Sequence, residues 1–165
     1  MEENKNDELY CAFEPKVNNR FICYITDSTG VFIKSFVIFA IDRPKFQVTT
    51  DESGKRNYKW LPIKIELYDP IIPSSPQAIM SHLHRNEHFN ISVKLLGPVG
   101  DVVEEWKIVN ADIVSADFGS LDWRCDPKKE RLETHSNNLI FYTKSCGDHL
   151  IITLMVEYEY AELVF

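Results

Sequence analysis

Apolar and polar residues alternate with a period of two along several stretches of this chain. Phe89, Ile91, Val93 and Leu95 are separated by Asn90, Ser92 and Lys94. Ile63, Ile65 and Leu67 within Leu61–Tyr68 are interleaved with Lys64, Glu66 and Tyr68, and Ile152, Leu154, Val156, Tyr158 and Tyr160 within Ile151–Tyr160 follow the same rule. Successive side chains of a strand point to opposite faces, so this period predicts strands with one buried face. Pro62, which has no amide proton, belongs at the start or edge of its strand. Arg20–Thr26 and Val31–Ile41 are rich in aromatic and β-branched residues and are split by Asp27-Ser28-Thr29-Gly30, which predicts a β-hairpin. Leu95–Trp123 sits centrally: Gly97-Pro98-Val99-Gly100-Asp101 turns the preceding strand into Val102–Val109, and a further strand, Ala111–Phe118, follows.

One segment has a different signature. Ser75-Pro76 offers an N-cap and a proline for the first helical position, and Ile79, Met80 and Leu83 then share a face, so this is the one substantial helix expected. Asp42–Lys59 reads as a protruding loop or loose hairpin, a length that in a compact domain is usually functional or disordered. Residues 1–9 are acidic and polar and read as a flexible arm, and 124–150 reads as a surface excursion with a candidate strand at Leu139–Thr143. Short strands at regular spacing with one helix predict a single, mainly β domain over 1–165: an antiparallel β-sandwich or barrel with a helix packed at one side.

Composition narrows the functional classes. With 165 residues, 44% apolar and 26% charged, the chain can bury its own core without metal or disulfides. The net charge of -7 disfavours grasping phosphates, although an acidic surface can pass a polyanion without binding it. No apolar run approaches the roughly 20 residues of a membrane span, and the acidic start is unlike an export signal. Cys11, Cys23, Cys125 and Cys146 are then expected as reduced thiols.

Candidate chemistry is sparse. Glu104 and Glu105 are strand neighbours on opposite faces, which cannot flank one reacting bond; one is expected solvated and the other at an edge or interface. Cys125, His135, Cys146 and His149 offer zinc-ligand types, but their spacing matches no paired pattern, and ordinary thiols and surface histidines are the expectation. His82, His84 and His88 are explained by the negative end of the helix dipole. No nucleophile elbow, phosphate loop, dinucleotide fingerprint or zinc-protease motif occurs, so neither an enzyme nor a cofactor is expected.

Several segments, in order, resemble the tail tube proteins of T4-like contractile-tailed bacteriophages. They are the turn Leu96-Gly97-Pro98-Val99-Gly100-Asp101, the acid–tryptophan pair Glu105-Trp106, Phe118-Gly119-Ser120-Leu121-Asp122-Trp123, Ile65-Glu66-Leu67-Tyr68-Asp69-Pro70, and Val156-Glu157-Tyr158-Glu159-Tyr160-Ala161-Glu162-Leu163. They cover about half the chain. The segment between the helix and Asn90 is shorter than in many relatives, and Arg124–Leu150 is expanded. The resemblance implies the tail-tube fold, assembling into hexameric rings whose strands join a continuous barrel and which stack into the inner tube of a virion. It implies as partners the chain itself and the sheath, tape-measure, baseplate and tail-terminator proteins, with DNA passing through unbound during ejection and no membrane insertion. A tube-initiating, tube-ending or baseplate adaptor protein of the same fold is the alternative.

Two sets of residues are candidates for that role. Ser92, Lys94, Glu105 and Lys107 alternate with apolar residues on the strands flanking the Gly97–Gly100 turn, and are the candidate channel-facing positions. Asp42, Arg43, Lys45, Asp51, Glu52, Lys55 and Arg56 of the protruding loop are the candidate contacts between rings.

Overall fold

The computed structural model describes residues 14–123 and 149–164. The arm at 1–9, Cys11, Cys125, His135, Cys146, the candidate strand Leu139–Thr143 and nearly all of the 124–150 excursion lie outside them. Among the described residues nine strands form: β1 (Phe21–Asp27), β2 (Gly30–Ile33), β3 (Ile38–Ile41), β4 (Lys45–Thr50), β5 (Arg56–Leu61), β6 (Ile63–Tyr68), β7 (Phe89–Leu96), β8 (Val102–Asp117) and β9 (Ile151–Leu163), with helix α1 (Ser75–Arg85) between β6 and β7. Seven of them make one antiparallel sheet in the order β2-β1-β7-β8-β9-β6-β3, curled into a half-barrel. Strands β4 and β5 form a separate two-stranded hairpin.

Alternation fixes which side chains fill the half-barrel. Ile63, Ile65 and Leu67 of β6, Phe89, Ile91, Val93 and Leu95 of β7, and Ile152, Leu154 and Val156 of β9 are all buried, together with Cys23 and Ile25 of β1 and Ile108 and Ala111 of β8. Burial raises the Cys23 thiol to about 12, so it packs as a small apolar side chain with no reactivity.

Three elements differ from the sequence expectation, each for a physical reason. Val31–Ile41 is not one strand: β2 ends at Ile33, a short 3-10 turn spans Ser35–Val37, and β3 begins at Ile38. The run is split because β2 pairs with β1 at one edge of the sheet, whereas β3 pairs with β6 at the other. Conversely, the two strands expected after the Gly97–Asp101 turn are one strand, β8, bulged at Asn110. Asn110 takes φ 51, a left-handed conformation that asparagine tolerates better than most residues, and its amide donates to Asn90 Oδ1 at 3.1 Å.

Helix α1 starts one residue earlier than Ser75-Pro76 suggests. Ser74 is the cap, accepting from the Gln77 amide at 3.4 Å, while the Ser75 hydroxyl donates to the Tyr68 carbonyl at 3.2 Å. Its inward face is Ser75, Ile79 and His82; Met80 and Leu83 are exposed. A histidine can take the inward position because it finds both a charged partner and an aromatic slot. Its Nδ1 donates to Asp27 Oδ2 at 2.8 Å, its ring stacks on Phe32 at 4.3 Å, and Phe89 meets it edge-on at 5.2 Å. His82 is therefore part of the fold's interior, where the helix dipole alone had been expected to account for it.

Candidate assembly surfaces

Among the described residues, pairing along β8 and β9 leaves two strand edges free. Strand β7 pairs with β8 from Val102 to Ala111 and goes no further, so the β7 side of β8 is unpaired from Asp112 to Asp117. Strand β6 pairs with β9 only as far as Val156, leaving the β6 side of β9 unpaired from Glu157 to Leu163. The two strands pair with each other from Trp106↔Leu163 to Asp117↔Thr153. The free edges therefore lie on opposite sides of one two-stranded ribbon. Unpaired edges offer backbone donors and acceptors to another chain.

The four candidate channel-facing residues share the face of the sheet opposite the core. Ser92 lies across from Lys107 and Lys94 across from Glu105, and Lys107 in turn lies across from Glu162 of β9. The Ser92 hydroxyl donates to Glu105 Oε1 at 3.2 Å, and the Lys94 ammonium stands 5.8 Å from the Tyr24 ring centre. Opposite charges face each other across the strands, so this half of the surface is electrically compensated.

The second set of candidates divides between the base and the tip of the β4–β5 hairpin. Asp42, Arg43 and Lys45 are at the base. Asp42 accepts from the Lys64 amide at 3.0 Å and pairs with the Lys45 ammonium at 3.6 Å. Arg43 turns back to Glu104 at 3.1 Å. Asp51, Glu52, Lys55 and Arg56 are at the tip, where Asp51 Oδ1 accepts from the Ser53 amide at 3.0 Å, the Ser53 hydroxyl at 2.6 Å and the Lys55 amide at 2.8 Å. These bonds hold the Asp51 carboxyl below its usual range and consume it in shaping the turn. Phe46 and Trp60 are paired positions of the hairpin, as are Val48 and Tyr58, giving it one apolar face. Phe46 is 50%, Val48 48% and Tyr58 67% exposed, so that face is largely uncovered.

Glu104 anchors the hairpin base. It is only 5% exposed, so of the two neighbouring acids it is not the solvated one. Its carboxylate accepts from Trp106 Nε1 at 2.6 Å, from Arg43, and from the Lys16 ammonium of the segment leading into β1. Desolvation acts to raise its pKa, but the hydrogen bonds from Lys16, Trp106 and Arg43 outweigh it and hold the carboxyl below its ordinary value. The signal was present in the sequence: Glu104, Trp106 and Ile108 have the spacing of one strand face, and Ile108 is core. Beside this node lies a cleft of about 590 Å³ between Lys16–Asn19, β3 and the ends of β1 and β7.

Tyr158 makes the second tie. Its hydroxyl donates to the Lys45 carbonyl at 3.3 Å and accepts from the Lys45 amide at 3.4 Å, and its ring lies 6.0 Å from that of Trp60. Tyr158→Phe removes both bonds while keeping the ring. It is expected to cost about 1 kcal/mol and to speed amide exchange in β4 and β5 more than in β6. Equal exchange in both regions would contradict a local tie.

Among the described residues, Asp27, His82 and Glu87 bring potential metal-ligand atoms within 4.8 Å of one another. The Arg85 guanidinium already fills that position, bonded to Asp27 and to Glu87 Oε1 at 3.2 Å, and its positive charge opposes a cation there. The arrangement is a closed network between the β1–β2 turn and the end of α1.

No protein-family model and no curated protein matches the chain. Solved structures do. A chain of the anti-feeding prophage baseplate matches with 18% identity and a TM-score of 0.55, over 92% of this chain and 96% of that one. A chain of the sheath-tube complex of PVC, an extracellular contractile injection system, matches with 13% identity and a TM-score of 0.56 over 98% of both. A chain from the tube-terminating cap of the anti-feeding prophage matches with 14% identity and a TM-score of 0.55 over 91% of both. At these identities the likeness is one of fold. The chain has the fold found in these contractile injection assemblies, and none of the three singles out the T4-like phages.

Proposed function

We propose that this protein is a tube-type subunit of a contractile injection assembly, which closes into hexameric rings that stack into the inner tube. The observation that carries this reading is the pair of staggered free edges on β8 and β9. An edge on one side of a ribbon that matches an edge on the other is a heterologous, self-propagating contact. Joining Glu157–Leu163 of one copy to Asp112–Asp117 of the next extends the sheet from copy to copy until it closes into a barrel.

The face bearing Ser92, Lys94, Glu105 and Lys107 is the candidate channel wall. Its compensated Lys–Glu rows give an elongated cargo such as DNA no patch to adhere to, and the uncompensated acids farther along β8 and β9 repel phosphate. Sheath and terminator proteins are the partners that the sheath-tube and cap neighbours suggest. A second reading, a ring that starts or ends a tube, is supported by the equal likeness to chains of a baseplate and a cap. Negative-stain microscopy of the purified chain separates the two. Long tubes support the main subunit, isolated rings support a tube end, and a chain that stays monomeric at tens of micromolar contradicts both.

A further inference from the structure

We infer that the free edge of β3 takes up an extended segment of a partner protein as an added strand, one with apolar side chains at alternate positions and a carboxylate at one end. The site is the cleft of about 590 Å³ beside Glu104. It goes beyond the tube reading and does not depend on it.

The lining shows how the cleft meets each element. Residues 39–43 line it consecutively, as do residues 16–19, whereas β7 contributes only Val93 and Leu95, two positions apart. A cavity on the face of a strand touches every second residue, and one along its edge touches each in turn. The cleft therefore runs along the edge of β3, with the 16–19 segment as its other wall and the inward face of β7 as its floor. Phe21 of β1, the cross-strand partner of Leu95, completes that floor.

Strand β3 ends the sheet. Among the described residues it pairs only with β6, and the register there passes from Ile38 to Ala40, leaving Phe39 without a cross-strand partner. Strand β1, which supplies Phe21, pairs on its β2 side only from Ile25 to Asp27. The half-barrel is thus one strand short at this end. A strand rises about 3.3 Å per residue, so a segment of about five residues would cover the β3 edge. Main-chain hydrogen bonds to β3 would hold it, while Phe21, Val93 and Leu95 select apolar side chains at every second position.

Charge fixes the remaining feature. The cleft has a cation on each wall, Lys16 and Arg43, and both are bonded to one carboxylate, Glu104. One positive charge is left over, and both side chains are about half exposed with donors to spare. Asp42, the one acid lining the cleft, is taken up by Lys45 and the Lys64 amide. In a chain of net charge -7 this local excess selects a carboxylate on the incoming segment.

Two amidated, fluorescein-labelled peptides test the site, Glu-Val-Thr-Val-Thr-Val and its reverse, one for each strand direction. Fluorescence anisotropy with the purified chain is expected to saturate for one of them, with amide exchange slowed in β3. Replacing the peptide's glutamate with lysine should weaken binding about fivefold. N-methylation at odd or at even positions removes amide protons from opposite edges of the peptide, so one series should lose binding and the other keep it. Phe39→Pro removes an edge donor that Phe39→Ala retains, and should bind about tenfold more weakly than it, with circular dichroism verifying that both are folded. No saturable change with either peptide overturns the site, as do N-methylated series that bind alike or folded Phe39 variants that bind alike. The peptide series needs no variant, so the test stands even where Phe39→Pro does not fold. Two further results overturn a partner as the occupant. Tighter peptide binding after deletion of residues 1–13 would assign the edge to this chain's own N-terminal segment, and a sedimentation coefficient of the chain alone that falls in Phe39→Pro but not in Phe39→Ala would assign it to a second copy.

Discussion

Replacing Asp27 with alanine is expected to cost about 3 kcal/mol, measured by chemical denaturation near neutral pH. The Asp27 side chain is fully shielded from solvent, and its carboxylate accepts from His82 Nδ1, from Arg85, and from the Thr29 amide at 2.8 Å and hydroxyl at 2.6 Å. Truncation would leave a buried histidine facing a void and would free the β1–β2 turn from α1. The pH dependence is a second check. Desolvation acts to raise the Asp27 pKa, but the bonds from Thr29, His82 and Arg85 prevail and hold it far below the usual carboxylate range. A carboxyl whose folded pKa lies below its unfolded value stabilises fully above the unfolded value, about 4, and loses that contribution as pH falls through the folded one. The gap in stability between wild type and Asp27→Asn should therefore be widest above about pH 4 and narrow below it. A gap that stays constant to pH 2 would show that shape, and not charge, is what Asn lacks.

Glu104→Ala is expected to cost about 2 kcal/mol, lowering the melting temperature by roughly 4–8 °C. Lys16 and Arg43 are about half exposed, at 50% and 57%, so water screens their loss. Most of the cost comes from the Trp106 indole N–H losing its acceptor and from the gap left at the mouth of the half-barrel. Glu104→Gln keeps an acceptor for Trp106 and should recover about half of the loss. The charge term should appear elsewhere, as faster amide exchange throughout β4 and β5, because Arg43 no longer holds the hairpin base. A variant as stable as wild type, with unchanged exchange in the hairpin, would contradict the anchoring role.

Where burial has two sides, the sequence displays it. Phe89–Leu95, Ile63–Leu67 and Ile152–Val156 alternate cleanly, and each is a strand whose alternate residues are core. The same alternation places Ser92, Lys94, Glu105 and Lys107 on one face, as their cross-strand register confirms. Val31–Ile41 was opaque because its apolar run has no period. What divides it is the choice between two distant partners, β1 and β6, which no local pattern encodes. The inward position of His82 is hidden for a related reason: it depends on Asp27, 55 residues away in sequence, and apolar spacing along a helix face gives no weight to a polar residue. The free edges of β8 and β9 were equally hidden, since they depend on where β7 and β6 stop relative to their partners.

The central claim is that those edges join copies of this chain, and cryo-electron microscopy of its purified assemblies tests it directly. The account predicts six-fold rings in which Glu157–Leu163 of each subunit is hydrogen-bonded to Asp112–Asp117 of its neighbour, forming one unbroken barrel. Rings held together elsewhere, with both edges left open to solvent, would contradict it.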